Sequence, residues 1–384
     1  MSIINHLFSL TNFHKGAYCL DNMKLMVDKL DLKDFPKCIH VAGTNGKGSV
    51  CHKIANTLTR SGYKTGLFTS PHISTFRERV KIDHRLIPEA EAFTLIEKIL
   101  NAFSEIQKEF TFFEVMTLLA LLYFKKEKVD FAVIETGLGG RLDATNVINP
   151  VLSIITSISL DHTQILGDSI DKIGFEKAGI IKDNIPVVLG PKAKLSSILN
   201  RAKQKSSEVI QVEGEYLFYD EENSLIAKKV LGYLAKKYNL KYSNLEDGLK
   251  SRPACRFECV ENVVYDVAHN PKGIDKLLQA LQEKFPKNSF RFVIAFSKDK
   301  DHVSMVKKLK PFSKGFHLVS DEQRLLSVSE LETLIKPFID NYTYQENLEK
   351  TVLDAYKKAT NNNEVLVVVG SFYIMDKVKT LLSN

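Results

Sequence analysis

The sequence predicts an α/β protein of two unequal domains, each built on a mostly parallel sheet. Three observations carry that expectation. Short β-rich runs alternate with helix-period segments along the first part of the chain, the arithmetic of βαβ units covered on both faces. The pattern stops at a polar stretch over 245–252 and restarts after it. At 384 residues the chain is also too long for one ordinary core.

Residues 38–41 read as the first strand. Behind them Val50, Ile54 and Leu58 recur every four residues and mark a helical face, and Gly62 fits its C-terminal stop. Further strands are expected at 64–68, 131–134, 151–158 and 185–189, with crossover helices at 90–106 and 111–124. The apolar run 115–124 is well short of a membrane span and fits a buried helix. One more helix is expected at 221–238, and 245–252 reads as a polar connector. After it, strands at 263–267, 291–296, 316–320 and 365–369 alternate with helices at 272–284, 302–310 and 348–359. The expected domains are therefore 1–250 and 251–384. Loops at strand C-termini, and a cleft between the domains, are where a ligand is expected.

Hydrophobic content of 44% and charged content of 26% are those of a soluble globular protein. The net charge of +7 fits either a nucleic-acid partner or a site that holds several anions. The lysines are spread along helical segments with no basic run interleaved with aromatics, which argues against nucleic acid. The N-terminus lacks a basic stretch followed by a long apolar one, so no secretory signal is visible. Cys19, Cys38, Cys51, Cys255 and Cys259 are odd in number and lack zinc-ligand spacing, the pattern of free thiols in a reducing, cytoplasmic compartment.

The strongest motif is Gly43-Thr44-Asn45-Gly46-Lys47-Gly48-Ser49, between the first strand and its helix. Glycines let backbone N–H groups converge on phosphate oxygens, while Lys47 and the helix N-terminus add positive charge. The spacing departs from the common phosphate loop because Gly48 separates the lysine from the hydroxyl residue. The first domain is thus expected to be of the P-loop ATPase type, and the smaller second one a doubly wound α/β domain. Glu135 closes the strand 131–134 and reads two ways. It could hold the Mg²⁺ of a nucleoside triphosphate, or cap the Gly137-Leu138-Gly139-Gly140 turn. Asp161-His162 ends a strand expected at 154–160, where His162 could be structural or a ligand. Asp266-Val267-Ala268-His269-Asn270-Pro271 joins a strand to a helix in the second domain. Asn270 could be only a cap before Pro271, with Asp266 and His269 left to point at a site.

Together with 69–72, 78–80, 111–114, 134–146, 176–180, 299–301 and 369–371, these stretches resemble the folylpolyglutamate synthases, including the bifunctional dihydrofolate synthases of bacteria, within the Mur-ligase-like group. The resemblance runs from Val41 to about Leu189 and resumes from about Asn223. It implies an ATP-dependent amide ligase that joins glutamate to dihydropteroate, to a folate, or to both, through an acyl phosphate. Residues 43–49 would hold the ATP phosphates, and Ser70, Glu135, His162 and a carbamylated Lys177 would ligate Mg²⁺ in two sites. Lys47, His162 and Lys177 would be the catalytic residues. Asn223, Arg256, Asp266 and His269 would complete the ATP contacts. Thr111, Phe112, Phe113, Glu114, Leu142, Asp143 and Ala144 resemble the dihydropteroate-binding segments, and Arg79 would suit a substrate carboxylate. Phe112 and Phe113 could instead be core, and Arg79 a solvated charge in a strand.

Two departures stand out. The chain between Gly190 and Asn223 is short and lacks the expected proline-containing lead into Asn223, and Cys255 stands where a glycine commonly precedes Arg256. The rivals are a chain-extending folylpolyglutamate synthase and a Mur-type ligase of cell-wall synthesis. The latter typically carries paired threonines where Lys47 is followed here by Gly48-Ser49. A regulatory or nucleic-acid-binding module leaves 176–180 and 266–271 unexplained. The expected partners are small molecules only, with no nucleic acid and no membrane, acting on a monomer.

Overall fold

The computed structural model describes residues 7–10, 19–214, 219–243, 245–321 and 324–383. They form two compact units that part between Arg252 and Pro253. In the first unit the strands are β1 (Lys37–Ala42), β2 (Thr65–Phe68), β3 (Val80–Ile82), β4 (Arg85–Leu86), β5 (Phe131–Glu135), β6 (Leu152–Ser157), β7 (Val187–Lys192) and β8 (Val209–Gln211). Their order is β4-β3-β2-β5-β1-β6-β7-β8. From β2 to β8 every pairing is parallel, while β3 and β4 add an antiparallel hairpin at one edge. Asp83 and His84 form its tip with φ of 49° and 67°, the left-handed pair of a tight hairpin turn.

Both faces of this sheet are covered, as parallel strands require. On one face the helix Lys47–Arg60 buries Val50, Cys51, Ile54, Ala55 and Leu58 against Val133, Ile154 and the helix Tyr219–Tyr238. On the other, Phe112–Lys126 is buried almost all round, packing Val115, Leu118, Leu119 and Phe124 with Phe68 and Phe103. A helix without a wet face needs no amphipathic pattern, hence its continuous apolar run.

Two sequence readings are corrected here. The strand read as 154–160 ends at Ser157, because its last residues turn to hydrogen-bond the loop after β1. The stretch read as a polar connector contains a helix, Leu245–Lys250, docked on Lys47–Arg60. Asn56 Nδ2 donates to the Gly248 carbonyl at 3.1 Å, and a Cβ at Gly248 would fall 2.2 Å from Thr57 Oγ1.

The second unit contains β9 (Glu258–Val260), β10 (Val263–Asp266), β11 (Phe290–Ile294), β12 (Ser313–Leu318), β13 (Tyr342–Thr343) and β14 (Val365–Val369), ordered β13-β12-β11-β14-β10-β9. All pair in parallel except β9 with β10. Helices alternate with them, so the unit is a second, smaller doubly wound α/β fold with Phe292, Ile294, Val367 and Val369 in its core. Among the described residues no helix is long and apolar enough to cross a membrane.

Candidate active site

The loop after β1 is shaped by its glycines and pinned by β6. Gly43 and Gly46 adopt φ of 150° and 86°, conformations side chains resist. A Cβ at Gly43 would also collide with Thr156 Oγ1. Thr44 N donates to the Ser157 carbonyl at 2.7 Å and Asn45 N to Ser157 Oγ at 3.1 Å. Thr156 Oγ1 donates to the Asn45 carbonyl at 2.7 Å, and Ser159 N to Thr44 Oγ1 at 3.1 Å. The loop is thereby held in shape while the helix N-terminus at Lys47, Gly48 and Ser49 keeps its first-turn N–H groups for an anion.

Ser70, Glu135 and Lys177 gather around this loop. Glu135 ends β5 almost fully buried, accepts from Ser70 N at 3.0 Å and lies 4.0 Å from Lys47 Nζ. Gly48 makes room for it, since a Cβ there would sit 3.3 Å from Glu135 Oε2. Lys177, on the helix Ile170–Ala178, is buried and donates to the Gly43 carbonyl at 2.9 Å. His162 lies past the end of β6 at φ 49°, half-buried, with Nε2 3.8 Å from Asp161 Oδ1. Among the described residues no three His, Cys, Asp or Glu side chains gather into a metal-binding group. The donor set nonetheless fits Mg²⁺, which is commonly held by one carboxylate and completes its shell with phosphate oxygens and water. Glu135 and the Ser70 hydroxyl are hard oxygen donors of that kind.

Asn223 reaches the loop from Tyr219–Tyr238. A Cβ at Gly46 would fall 2.4 Å from Asn223 Oδ1, so the carboxamide rests directly on the loop glycine.

The candidate substrate residues form two groups. In the first, the Arg79 guanidinium lies 5.0 Å from the Phe112 ring centre, and its Nε donates to His72 Nδ1 at 2.9 Å. Arg79 ends a short turn, Phe76–Arg79, and is buried, so it is not a solvated strand charge. Phe112 belongs to the core, and Phe8 stacks on it at 5.7 Å. Thr111 and Glu114 make a reciprocal capping box at the start of the helix, Thr111 N donating to Glu114 Oε2 at 2.7 Å.

The second group follows β5. Asp143 accepts from Leu138 N at 2.8 Å and from Thr145 N at 3.0 Å, as well as from the Thr145 hydroxyl. Thr145 Oγ1 in turn lies 2.8 Å from Nε2 of the fully buried His40 on β1. Burial pushes the Asp143 carboxyl above its usual range, and pushes the His40 imidazole down to about 3, with Lys182 adding to the fall. Leu142 is half-exposed beside it and Ala144 is buried. Phe113 joins the groups, because its ring fills the space beside Gly137. Arg141 and Glu176 then tie this loop to the Lys177 helix at 2.9 Å.

In the second unit Asp266 ends β10. It accepts from Phe257 N at 2.7 Å and Ala268 N at 2.8 Å. His269 Nδ1 lies 2.8 Å from the Val267 carbonyl, and Asn270 caps the following helix with Pro271 in its first turn. The Arg256 guanidinium stacks 4.7 Å over Phe372, and the His269 ring lies 6.0 Å from the same ring. Cys255 has φ of 55°, which explains a preference for glycine there. Its N–H, bonded to Glu258 Oε2 at 2.8 Å, helps hold the turn.

Several residues of this architecture escape the sequence reading: Thr156 and Ser157 under the loop, His40 and Thr145 behind Asp143, and the buried Lys53. Lys53 carried a usable signal, since it falls on the apolar stripe between Val50 and Ile54.

The description "Mur ligase middle domain" matches residues 41–215, and "Mur ligase, glutamate ligase domain" matches 255–372. The dihydrofolate synthase/folylpolyglutamate synthase of Bacillus subtilis is 33% identical over 90% of this chain and 90% of its own length. Among solved structures, the Escherichia coli FolC in complex with DHPP and ADP is 28% identical. It superposes with a TM-score of 0.87 over 100% of this chain and 98% of its own. The bifunctional enzyme of Yersinia pestis complexed with AMPPNP and Mn ion gives the same identity of 28%, TM-score of 0.87 and coverage of 100% and 98%. Loop, strand-end carboxylate and both units thus meet in one lineage: the chain belongs to the dihydrofolate synthase/folylpolyglutamate synthase family of Mur-type, ATP-dependent glutamate ligases.

Proposed function

We propose that this chain adds L-glutamate both to dihydropteroate and to the γ-glutamate end of reduced folates, as a cytoplasmic monomer whose partners are small molecules and not nucleic acid. The reaction draws on ATP and a divalent metal ion. The observation that carries the bifunctional reading is the Asp143 segment. Its buried carboxylate is organised by Leu138 and Thr145 in a loop that Phe113 packs against and Arg141 ties to the Lys177 helix.

In this reading a substrate carboxylate oxygen attacks the γ-phosphorus of ATP, the bond to the β-phosphate oxygen breaks, and ADP leaves. Lys47 and the first-turn N–H groups behind Gly46 take up the charge that builds on the transferred group. Asn223, Arg256, Asp266 and His269 hold the nucleotide. Ser70, Glu135, His162 and a carbamylated Lys177 would hold Mg²⁺ in two sites, where it would supply charge neutralisation on the phosphates. Carbamylation would turn the Lys177 donor into an anionic oxygen, a better neighbour for a cation. The glutamate amine then attacks the acyl carbon, losing a proton, and phosphate departs with one former carboxylate oxygen. Arg79 binds a carboxylate of the acceptor, with Thr111, Phe112, Phe113, Glu114, Leu142, Asp143 and Ala144 around its ring system.

Phosphate release from ATP, with glutamate and either dihydropteroate or tetrahydrofolate, tests this. Turnover with both acceptors is expected. Turnover with tetrahydrofolate alone would leave a chain-extending synthase and remove Asp143 from a pterin-binding role. Silence with both, from folded and ADP-binding protein, would send the search to other acceptors.

A further inference from the structure

Among the described residues of the first unit Lys53 is a fully buried cation, and the mechanism above makes no use of it. Its Nζ lies 3.0 Å from Asp220 Oδ1 and donates to the carbonyls of Ser251, at 3.1 Å, and Leu249. Asp220 Oδ2 accepts from Arg252 Nε at 2.7 Å. Burial lowers the Lys53 pKa, and Asp220 opposes that fall. An apolar pair would join two helices as well as a buried ion pair does. What the ionic cluster adds is direction: it fixes one register of one helix on the other.

Those two helices are the ones that converge on the nucleotide loop. Lys53 sits within Lys47–Arg60, whose N-terminus carries the loop. Asp220 sits in the first turn of Tyr219–Tyr238, one turn before Asn223, whose carboxamide rests on Gly46. The lead expected before Asn223 is missing from this chain, so the start of that helix needs another anchor. We infer that Lys53 and Asp220 are positioning residues for nucleotide binding, which act by holding Asn223 against Gly46. The inference rests on the reading of Asn223 as a nucleotide contact.

The test is a double-mutant cycle on the full chain, reading the Kd of Mg²⁺–ADP for Asn223→Ala, Lys53→Met and the two combined. Each single change is expected to raise Kd about tenfold, the loss of one hydrogen bond to a charged group. Because Lys53 acts through Asn223, the combined variant should bind no more than about threefold more weakly than Asn223→Ala alone. The KM for glutamate should stay unchanged in Lys53→Met. Asp220→Asn keeps the shape and removes the charge, and serves in the same cycle if Lys53→Met fails to fold. Effects that multiply to about a hundredfold mean independent action and overturn the inference. Wild-type affinity in the Lys53 and Asp220 variants, with weakened Asn223→Ala, overturns the inference alone. An unaffected Asn223→Ala removes Asn223 from the nucleotide site, and the inference falls with it.

Discussion

Lys47→Met should fold, bind ADP more weakly, and turn over about 10³-fold more slowly than the wild type. The lysine opens the helix behind Gly46, and its ammonium lies 4.0 Å from Glu135 Oε1 with a side chain only 17% exposed. In the proposed mechanism a charge held there acts on the phosphoryl group as the β–γ bond breaks. Methionine keeps the length and apolar stem of the side chain and removes only the charge. Loss of one preorganised donor of this kind is worth about 3–4 kcal/mol of barrier, close to the expected drop. Steady-state kcat with thermal melting as a folding control checks it. A kcat within tenfold of wild type would remove Lys47 from the chemistry.

Glu135→Gln should lower kcat by at least about 10²-fold and raise the Mg²⁺ concentration needed for half-maximal rate. The amide oxygen can still accept from Ser70 N, now at 3.0 Å, so the end of β5 keeps its shape. What disappears is the buried negative charge 4.0 Å from the loop lysine. Because the change leaves Lys47 without its carboxylate partner, thermal melting serves as the control for any loss of fold stability. A Mg²⁺ titration of activity for both proteins checks it. An unchanged rate at an unchanged Mg²⁺ requirement would mean that Glu135 only caps the Gly137 turn, the structural alternative its sequence position leaves open.

The parts of the account that were legible in the sequence are those encoded locally. The four-residue recurrence of Val50, Ile54 and Leu58 marks the buried face of the first helix, and the glycines around Lys47 mark the anion loop. The folate-ligase resemblance rested on such local stretches, and the relatives bear it out. What stayed hidden depends on partners distant in the chain. The run through Ile158 looks like continuing strand, yet β6 ends at Ser157, where the Thr156 and Ser157 hydroxyls hold Asn45, and His162 lies past the strand end. Leu245–Lys250, with Gly248 in its middle, has weak helical propensity of its own. Its docking on Thr57 stabilises it. Asp220 and Arg252 read as ordinary surface charges until the fold brings them to Lys53, whose place on the apolar stripe is the one hint the sequence holds. Glu114 is the opposite case, because Thr111-x-x-Glu114 is a capping box readable directly from the sequence.

The central claim is that the chain activates a carboxylate by phosphorylation before glutamate attacks. The most direct measurement follows heavy oxygen from the acceptor's labelled carboxylate during turnover with ATP and glutamate. Transfer of one labelled oxygen to the released phosphate, detected by mass spectrometry, is the expected result. Unlabelled phosphate alongside ligated product would mean that ATP cleavage and amide formation do not share an acyl phosphate, and would contradict the account.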